Sequence, residues 1–221
     1  MIFMWKIVFL CLYLVVSAVH LYGCAMHDQR IRNITKPLLM PALAAFYICS
    51  ADPVNWLVVA LIMTSFIGDV LLMIHGMKWF TSGGISFLLT HVLLIVLYIP
   101  HIRWSPVDLI IVVPYLILGF GVLRSGYIWM RRYLPKTIIC MMTFYLGMNT
   151  LMNLFAALQA FSDGGMGSEL ILFGALLFLA SDSILFLVRF DKKLPFYGKH
   201  FNVMLTYTLA KLLIVTGFIL M

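Results

Sequence analysis

Apolar runs about 20 residues long follow one another along almost the whole chain, and no polar stretch between them is long enough for a second domain. A helix needs about 20 such residues to cross about 30 Å of hydrocarbon. Eight runs meet or approach that length, at 3–22, 35–51, 54–75, 79–99, 107–124, 136–160, 168–189 and 199–220. Composition points the same way. The 221 residues are 64% hydrophobic and 10% charged, whereas soluble domains run about 45–50% apolar and about 25% charged. The expected fold is all-α: a single transmembrane domain over 1–221, built as a polytopic bundle of eight transmembrane helices.

The first run, "MIFMWKIVFLCLYLVVSA", has the charge and core of a signal peptide, and "LYGC" ending at Cys24 has the outline of a lipoprotein cleavage site. Bulky Tyr22 does not suit that site, and the run continues far enough to span, so it reads as the first transmembrane helix. The short second run carries Pro37 and Pro41, which suit the first turns of a helix better than its middle.

The net charge of +7 is compatible with nucleic acid only if the cations cluster on one face, and they do not. They sit in short loops. The odd-numbered loops and their edges hold Arg30, Arg32, Lys36, Lys78, Arg124, Arg131, Arg132, Lys136, Arg189, Lys192, Lys193 and Lys199, against Lys6 and Arg103 on the other side. That asymmetry predicts odd loops in the cytoplasm and both termini on the non-cytoplasmic side. The expected partner is the lipid bilayer, with no nucleic acid. Cys11, Cys24, Cys49 and Cys140 are dispersed, and neither CxxC, HExxH nor another ligand cluster occurs, so no metal and no cofactor is expected.

Within this apolar chain two acids stand out: Asp69 in "FIGDVLLM" and Asp182 in "FLASDSILFL". A carboxylate inside hydrocarbon costs about 2.5–3.5 kcal/mol on insertion scales and marks a functional site by default. In the expected topology the third and seventh spans run in parallel. Asp69 lies shortly before His75 and Asp182 shortly before Arg189, so both sit roughly 10 Å inside the cytoplasmic end of their helices. Each span is third in its half, and a Lys beside a Pro opens spans two and six, which suggests a four-plus-four parallel repeat.

Other polar residues accompany the acids. Tyr145, Asn149 and Asn153 recur at one helical face of the sixth span. The eighth carries Asn202, Thr206, Tyr207 and Lys211. The fourth carries His91 and the pair Gly83–Gly84, which permits close helix packing or close approach of a ligand. Each has a plainer explanation: asparagines join helices, an interior histidine takes a hydrogen bond, and Lys211 serves as a counter-ion. A proton- or cation-coupled small-molecule transporter would use the same aspartates. An intramembrane aspartyl protease fits poorly, because "FIGD" lacks the first glycine of GxGD and "PAL" (41–43) precedes both acids.

The segments "TKPLLMPAL" (35–43), "FIGDVLLM" (66–73), "FLLTHVLLIVLY" (87–98), "GALLFLASDSILFLVRF" (174–190) and "YTLAKLLIVTG" (207–217) together resemble the lysoplasmalogenase (YhhN-like) membrane protein family. Lys211 stands where that family commonly has Gln. The resemblance implies an eight-helix bundle in a bacterial inner membrane or a eukaryotic endomembrane. It implies an ether hydrolase that cleaves the vinyl-ether bond of a lysophospholipid substrate, the lysoplasmalogen, to a fatty aldehyde and glycerophosphoethanolamine or glycerophosphocholine. On that reading Asp69 and Asp182 are an acid–base pair, as in glycoside hydrolysis, since two neighbouring acids in a low-dielectric site do not both ionise cheaply. Tyr145 and Asn149 orient water or the ether oxygen. Lys36, Lys136 or Lys199 meets the phosphate, and His91, Asn202, Tyr207 and Lys211 complete the surroundings.

Overall fold

Polar residues at the loop edges decide where the helices begin. Asp28 caps the second helix by accepting from the backbone N–H groups of Arg30 (2.8 Å) and Ile31 (3.2 Å), and Asn55 caps the third through Leu57 N–H at 3.0 Å. Each satisfies donors that the first turn leaves unpaired. The sixth helix ends at Gly164, whose φ of 64° is the left-handed conformation common after a helix. The computed structural model describes residues 2–104, 109–132, 134–190 and 199–221. Lys192 and Lys193 of the last odd loop lie outside the described residues, as does the Lys199 side chain.

Among the described residues the helices are α1 (Ile2–Ala25), α2 (Gln29–Ser50), α3 (Trp56–Met73), α4 (Met77–Tyr98), α5 (Leu109–Met130), α6 (Lys136–Asp163), α7 (Met166–Phe190) and α8 (Lys199–Leu220), with a 3₁₀ turn at Ile99–His101. Every apolar run falls on a helix, and seven of the helices are long and apolar enough to cross a membrane. The protein is therefore a multi-pass membrane protein. The exception is α2, whose first turns carry Arg30, Arg32 and Lys36. It begins earlier than its apolar run, so Pro37 and Pro41 fall inside the helix rather than in its first turns. The helix continues through both, at the loss of two backbone donors.

Packing runs α1 on α2, α2 on α3, α3 on α4, α4 on α6, α6 on α7, α7 on α8, and α8 back on α1, with α2 also touching α8. Seven helices thus close a ring, and α5 stands outside it against α6. Its Ile110, Leu116, Ile117 and Phe120 are exposed. Leu39, Leu43, Tyr47, Leu61, Leu94, Tyr98, Met152, Phe178 and Ile214 fill the centre of the ring.

Small residues bring two helix pairs close. A Cβ at Gly83 would meet the backbone oxygen of Gly68 at 3.2 Å across the α3–α4 contact. On α7–α8, a Cβ at Gly217 would lie 2.6 Å from the backbone oxygen of Gly167, and one at Gly174 would lie 2.9 Å from that of Ala210. Gly84 differs from its neighbour: a Cβ there would meet nothing within 4 Å. The Gly83–Gly84 pair therefore divides, one residue serving helix packing and the other bordering open space.

Candidate functional site

Asp69 lies on α3 and Asp182 on α7, and they are 2% and 4% exposed. Each is held by its own donors. The Tyr207 hydroxyl on α8 donates to Asp69 Oδ2 at 2.7 Å, and Lys36 Nζ on α2 stands 3.5 Å from Oδ1. Asp182 Oδ2 accepts from the Tyr145 hydroxyl at 2.6 Å and from Asn149 Nδ2 at 2.7 Å, both on α6. Bonds of this length to a carboxyl are among the stronger ones a protein makes. Asn153 Nδ2 supports that arrangement from one turn away, donating to the backbone oxygen (3.0 Å) and the side-chain oxygen (3.1 Å) of Asn149. The polar stripe on α6 is thus a relay ending at Asp182.

His91 on α4 is fully buried, with Nε2 3.6 Å from Asp182 Oδ2. That distance is too long for a hydrogen bond. Neither ring nitrogen has a partner among the described residues, although a buried polar atom ordinarily has one. The ring lies against Tyr145 (centroids 5.2 Å apart) and Phe178 (4.9 Å).

No hydrogen bond joins the two carboxylates among the described residues, and aromatic rings connect their surroundings instead. Phe178 packs edge-on to both Phe87 (6.2 Å) and Tyr207 (6.1 Å), and Phe87 to Tyr207 (6.0 Å). The buried Lys211 ammonium sits 3.9 Å above the Phe178 ring and donates to Ser65 Oγ at 2.9 Å. A cation over an aromatic face in a dry setting gains about 2 kcal/mol. Lys211 is therefore housed by rings and a hydroxyl rather than paired directly with an aspartate. Ser65 in turn meets Thr90 Oγ1 at 3.3 Å, and Thr90 meets Thr64 Oγ1 at 2.9 Å.

The two carboxylate settings follow one plan. Each aspartate takes a partner from the helix before its own, Lys36 on α2 or Tyr145 and Asn149 on α6. On the other side stands a residue of a more distant helix, the Tyr207 hydroxyl of α8 bonded to Asp69 or the His91 ring of α4 at 3.6 Å from Asp182. Lys36 precedes Asp69 by the same interval that Asn149 precedes Asp182, and the last residues of α2 and α6, Ser50 and Asp163, stand at matching intervals too.

A cavity of about 280 Å³ opens between α4 and α6 and is lined almost wholly by apolar side chains. Gly84 and Leu88 of α4, Met141 and Tyr145 of α6, Leu72 of α3 and Phe186 of α7 form its walls. Tyr145 belongs both to this wall and to the Asp182 donor set.

Of the residues singled out in the sequence, Asp182, Tyr145, Asn149 and His91 come together, with Tyr145 joining them to the cavity wall, and Asp69, Lys36 and Tyr207 form a second group. Lys211 lies between the groups beside Phe178. Asn202, half-buried in the first turn of α8, accepts the Thr206 hydroxyl at its backbone oxygen (2.8 Å). Sequence reasoning did not single out Phe87 and Phe178, and nothing in their spacing distinguishes them. It also passed over Tyr13, Ser17 and His20, which share the inner face of α1. Tyr13 donates to the Thr208 backbone oxygen at 2.8 Å, and His20 Nδ1 meets Thr35 Oγ1 at 2.7 Å. Their i, i+4, i+7 spacing is the signal that could have found them.

Neither the curated proteins nor the solved structures contain a match to this chain. The YhhN family does match, over residues 31–218, which takes in both aspartates and every helix from α3 to α7 together with most of α2 and α8. With that span covered, the chain belongs to the YhhN family, the family of lysoplasmalogenase-like proteins.

Proposed function

We propose that the protein is a membrane-embedded hydrolase that cleaves the vinyl-ether bond of lysoplasmalogens, releasing a fatty aldehyde and glycerophosphoethanolamine or glycerophosphocholine. One observation carries the reading: a buried carboxyl, Asp182, held by Asn149 and by Tyr145, which lines an apolar cavity, beside an unpartnered histidine. Family membership supplies the reaction class.

The chemistry needs a proton donor and then a base. A carboxylic acid gives its proton to the β-carbon of the C=C bond, whose π electrons form the new C–H bond, and the ether oxygen shares the positive charge as an oxocarbenium ion. Water adds to the α-carbon and returns a proton to the carboxylate. The resulting hemiacetal collapses to aldehyde and alcohol, so one molecule of water is consumed and the acid is regenerated. Asp182 and Asp69 carry these transfers. Tyr145 and Asn149 stabilise the carboxylate form of Asp182 between the steps, and His91 takes the attacking water alongside it.

The same reading places eight helices across the bilayer with both termini on the non-cytoplasmic side, so that the basic odd loops face the cytoplasm. A four-plus-four repeat is supported by the equivalent helix contacts (α1–α2 with α5–α6, α2–α3 with α6–α7, α3–α4 with α7–α8) and by the matching donor plan.

The test is aldehyde release from a lysoplasmalogen by purified protein. Loss of a general acid or base lowers turnover about 10²–10⁴-fold, and Asp182→Asn and Asp69→Asn are each expected to do so. Unimpaired turnover in both variants, at equal folding, overturns the carboxyl mechanism. No vinyl-ether turnover by folded wild type overturns the function.

A further inference from the structure

We infer that the cavity between α4 and α6 is a side entrance from the bilayer that takes the alkyl chain of a single-chain phospholipid, with its phosphate at Arg189, Lys136 and Lys78 and its ether linkage beside Asp182. The inference deepens the hydrolase reading and rests on it for the identity of the reacting bond.

The walls say what fits. They are apolar apart from Thr81 and the Tyr145 hydroxyl. On the outer side Ile85, Met141 and Phe144 are exposed, and α5 packs on α6 without covering the opening to α4. Gly84 leaves room where any other residue would intrude. An opening toward lipid, lined by apolar atoms and reaching a polar group at its inner end, suits one flexible hydrocarbon chain.

Charge complementarity fixes which end of the ligand lies where. The cavity includes Met77 and Phe80 at the start of α4, Ile138 at the start of α6, and Leu185 and Phe186 near the end of α7. Exposed cations stand beside these residues: Lys78, Lys136 and Arg189. The Arg189 guanidinium lies 5.2 Å from the centre of the Phe80 ring, which forms part of the wall. A phosphate is thus matched at one end only.

Length agrees. Asp182 lies seven residues before Arg189 on one helix, an axial distance of about 10 Å. From the phosphorus of a lysoplasmalogen to the β-carbon of its vinyl ether, the atom that takes the proton, is about seven bonds, or roughly 8–9 Å at the advance per bond of an extended chain. Phosphate at Arg189 therefore brings the ether to the level of Asp182, with the hydrocarbon lying along α4 and α6. Neither aspartate lines the cavity itself, but the Tyr145 hydroxyl on its wall bonds to Asp182, whereas Asp69 is held by Lys36 and Tyr207, which line no part of it. Asp182 is accordingly the proton donor to the double bond.

Photolabelling of the purified full chain tests this, with a lysophosphatidylcholine whose chain is a saturated 1-O-alkyl ether bearing a diazirine. The probe has no vinyl ether, so labelling is read independently of turnover. Adducts are expected within 81–88 and 138–145. Gly84→Phe and the milder Gly84→Leu should each lower them by about tenfold or more, roughly the loss of burial for two methylenes. Unlabelled alkyl-lysophosphatidylcholine should compete better than the matching alkylglycerol, and Arg189→Gln should remove that difference. Adducts on other helices overturn the inference, as does undiminished labelling in Gly84 variants that melt like wild type. Adducts at the expected segments in a protein with no vinyl-ether turnover would uphold the entrance and refute the hydrolase.

Discussion

The α7–α8 contact offers a prediction whose size follows from geometry. A methyl group at Gly217 would lie 2.6 Å from both the backbone oxygen of Gly167 and Ile171 Cγ1, and 3.2 Å from the Ile171 backbone nitrogen. Two of these atoms are backbone on the facing helix and cannot rotate away. In Gly217→Ala the helices must therefore part by most of an ångström before ordinary contact is restored. Overpacking of this kind costs about 1–3 kcal/mol. Alanine also favours helix over glycine by about 1 kcal/mol, which partly offsets it. Gly147→Ala on α6 isolates the steric part, because its methyl meets nothing within 4 Å and it shares the helix gain. For a chain of this size each kcal/mol moves the melting midpoint roughly 2–4 °C. Gly217→Ala should thus melt about 2–12 °C below Gly147→Ala when both are heated in the same detergent. It should also turn over substrate more slowly, since Tyr207 rides on the displaced helix. Equal midpoints for the two variants would refute the close-packed seam.

Three further outcomes follow from the site and its orientation. Lys36→Met leaves the buried Asp69 carboxylate without its cation and should destabilise the protein by about 3 kcal/mol; adding Asp69→Asn should restore most of that in thermal melts, and simple additivity would show that the pair is not coupled. Tyr145→Phe and Asn149→Leu each remove one hydrogen bond to the Asp182 carboxyl, worth about 1.5–3 kcal/mol when the acceptor is charged, so aldehyde release should fall roughly 10–150-fold in each with little change in melting. In a chain with its native cysteines replaced by alanine, a membrane-impermeant maleimide added to right-side-out cells should label Asp52→Cys and spare Arg131→Cys; the opposite pattern would invert the assigned orientation.

Most of the helical framework was legible in the chain, because a run of about 20 apolar residues has few other structures open to it. The start of α2 was not, since Arg30, Arg32 and Lys36 make its first turns too polar to count as a span. Only the capping geometry of Asp28 locates it. That Asp69 and Asp182 must sit inside the bundle among polar partners was legible from the cost of an acid in hydrocarbon. Their partners were legible only as residue types on the right helices. Which donor meets which acid depends on the order of helices around the ring, and in particular on α4 packing against α6 while α5 stands outside. Both segments have similar apolar composition, so no sequence pattern separates them. The even division of Gly83 and Gly84 between packing and open space is likewise a product of helix rotation.

The crossed donors also bear on assembly from fragments. Tyr207 of the second half reaches Asp69 of the first, and His91 of the first half stands by Asp182 of the second. Neither half encloses a finished carboxyl setting by itself. Two co-expressed halves, divided in the α4–α5 connection, would regain both settings on reassociation, whereas either half alone would hold an acid without its distant partner.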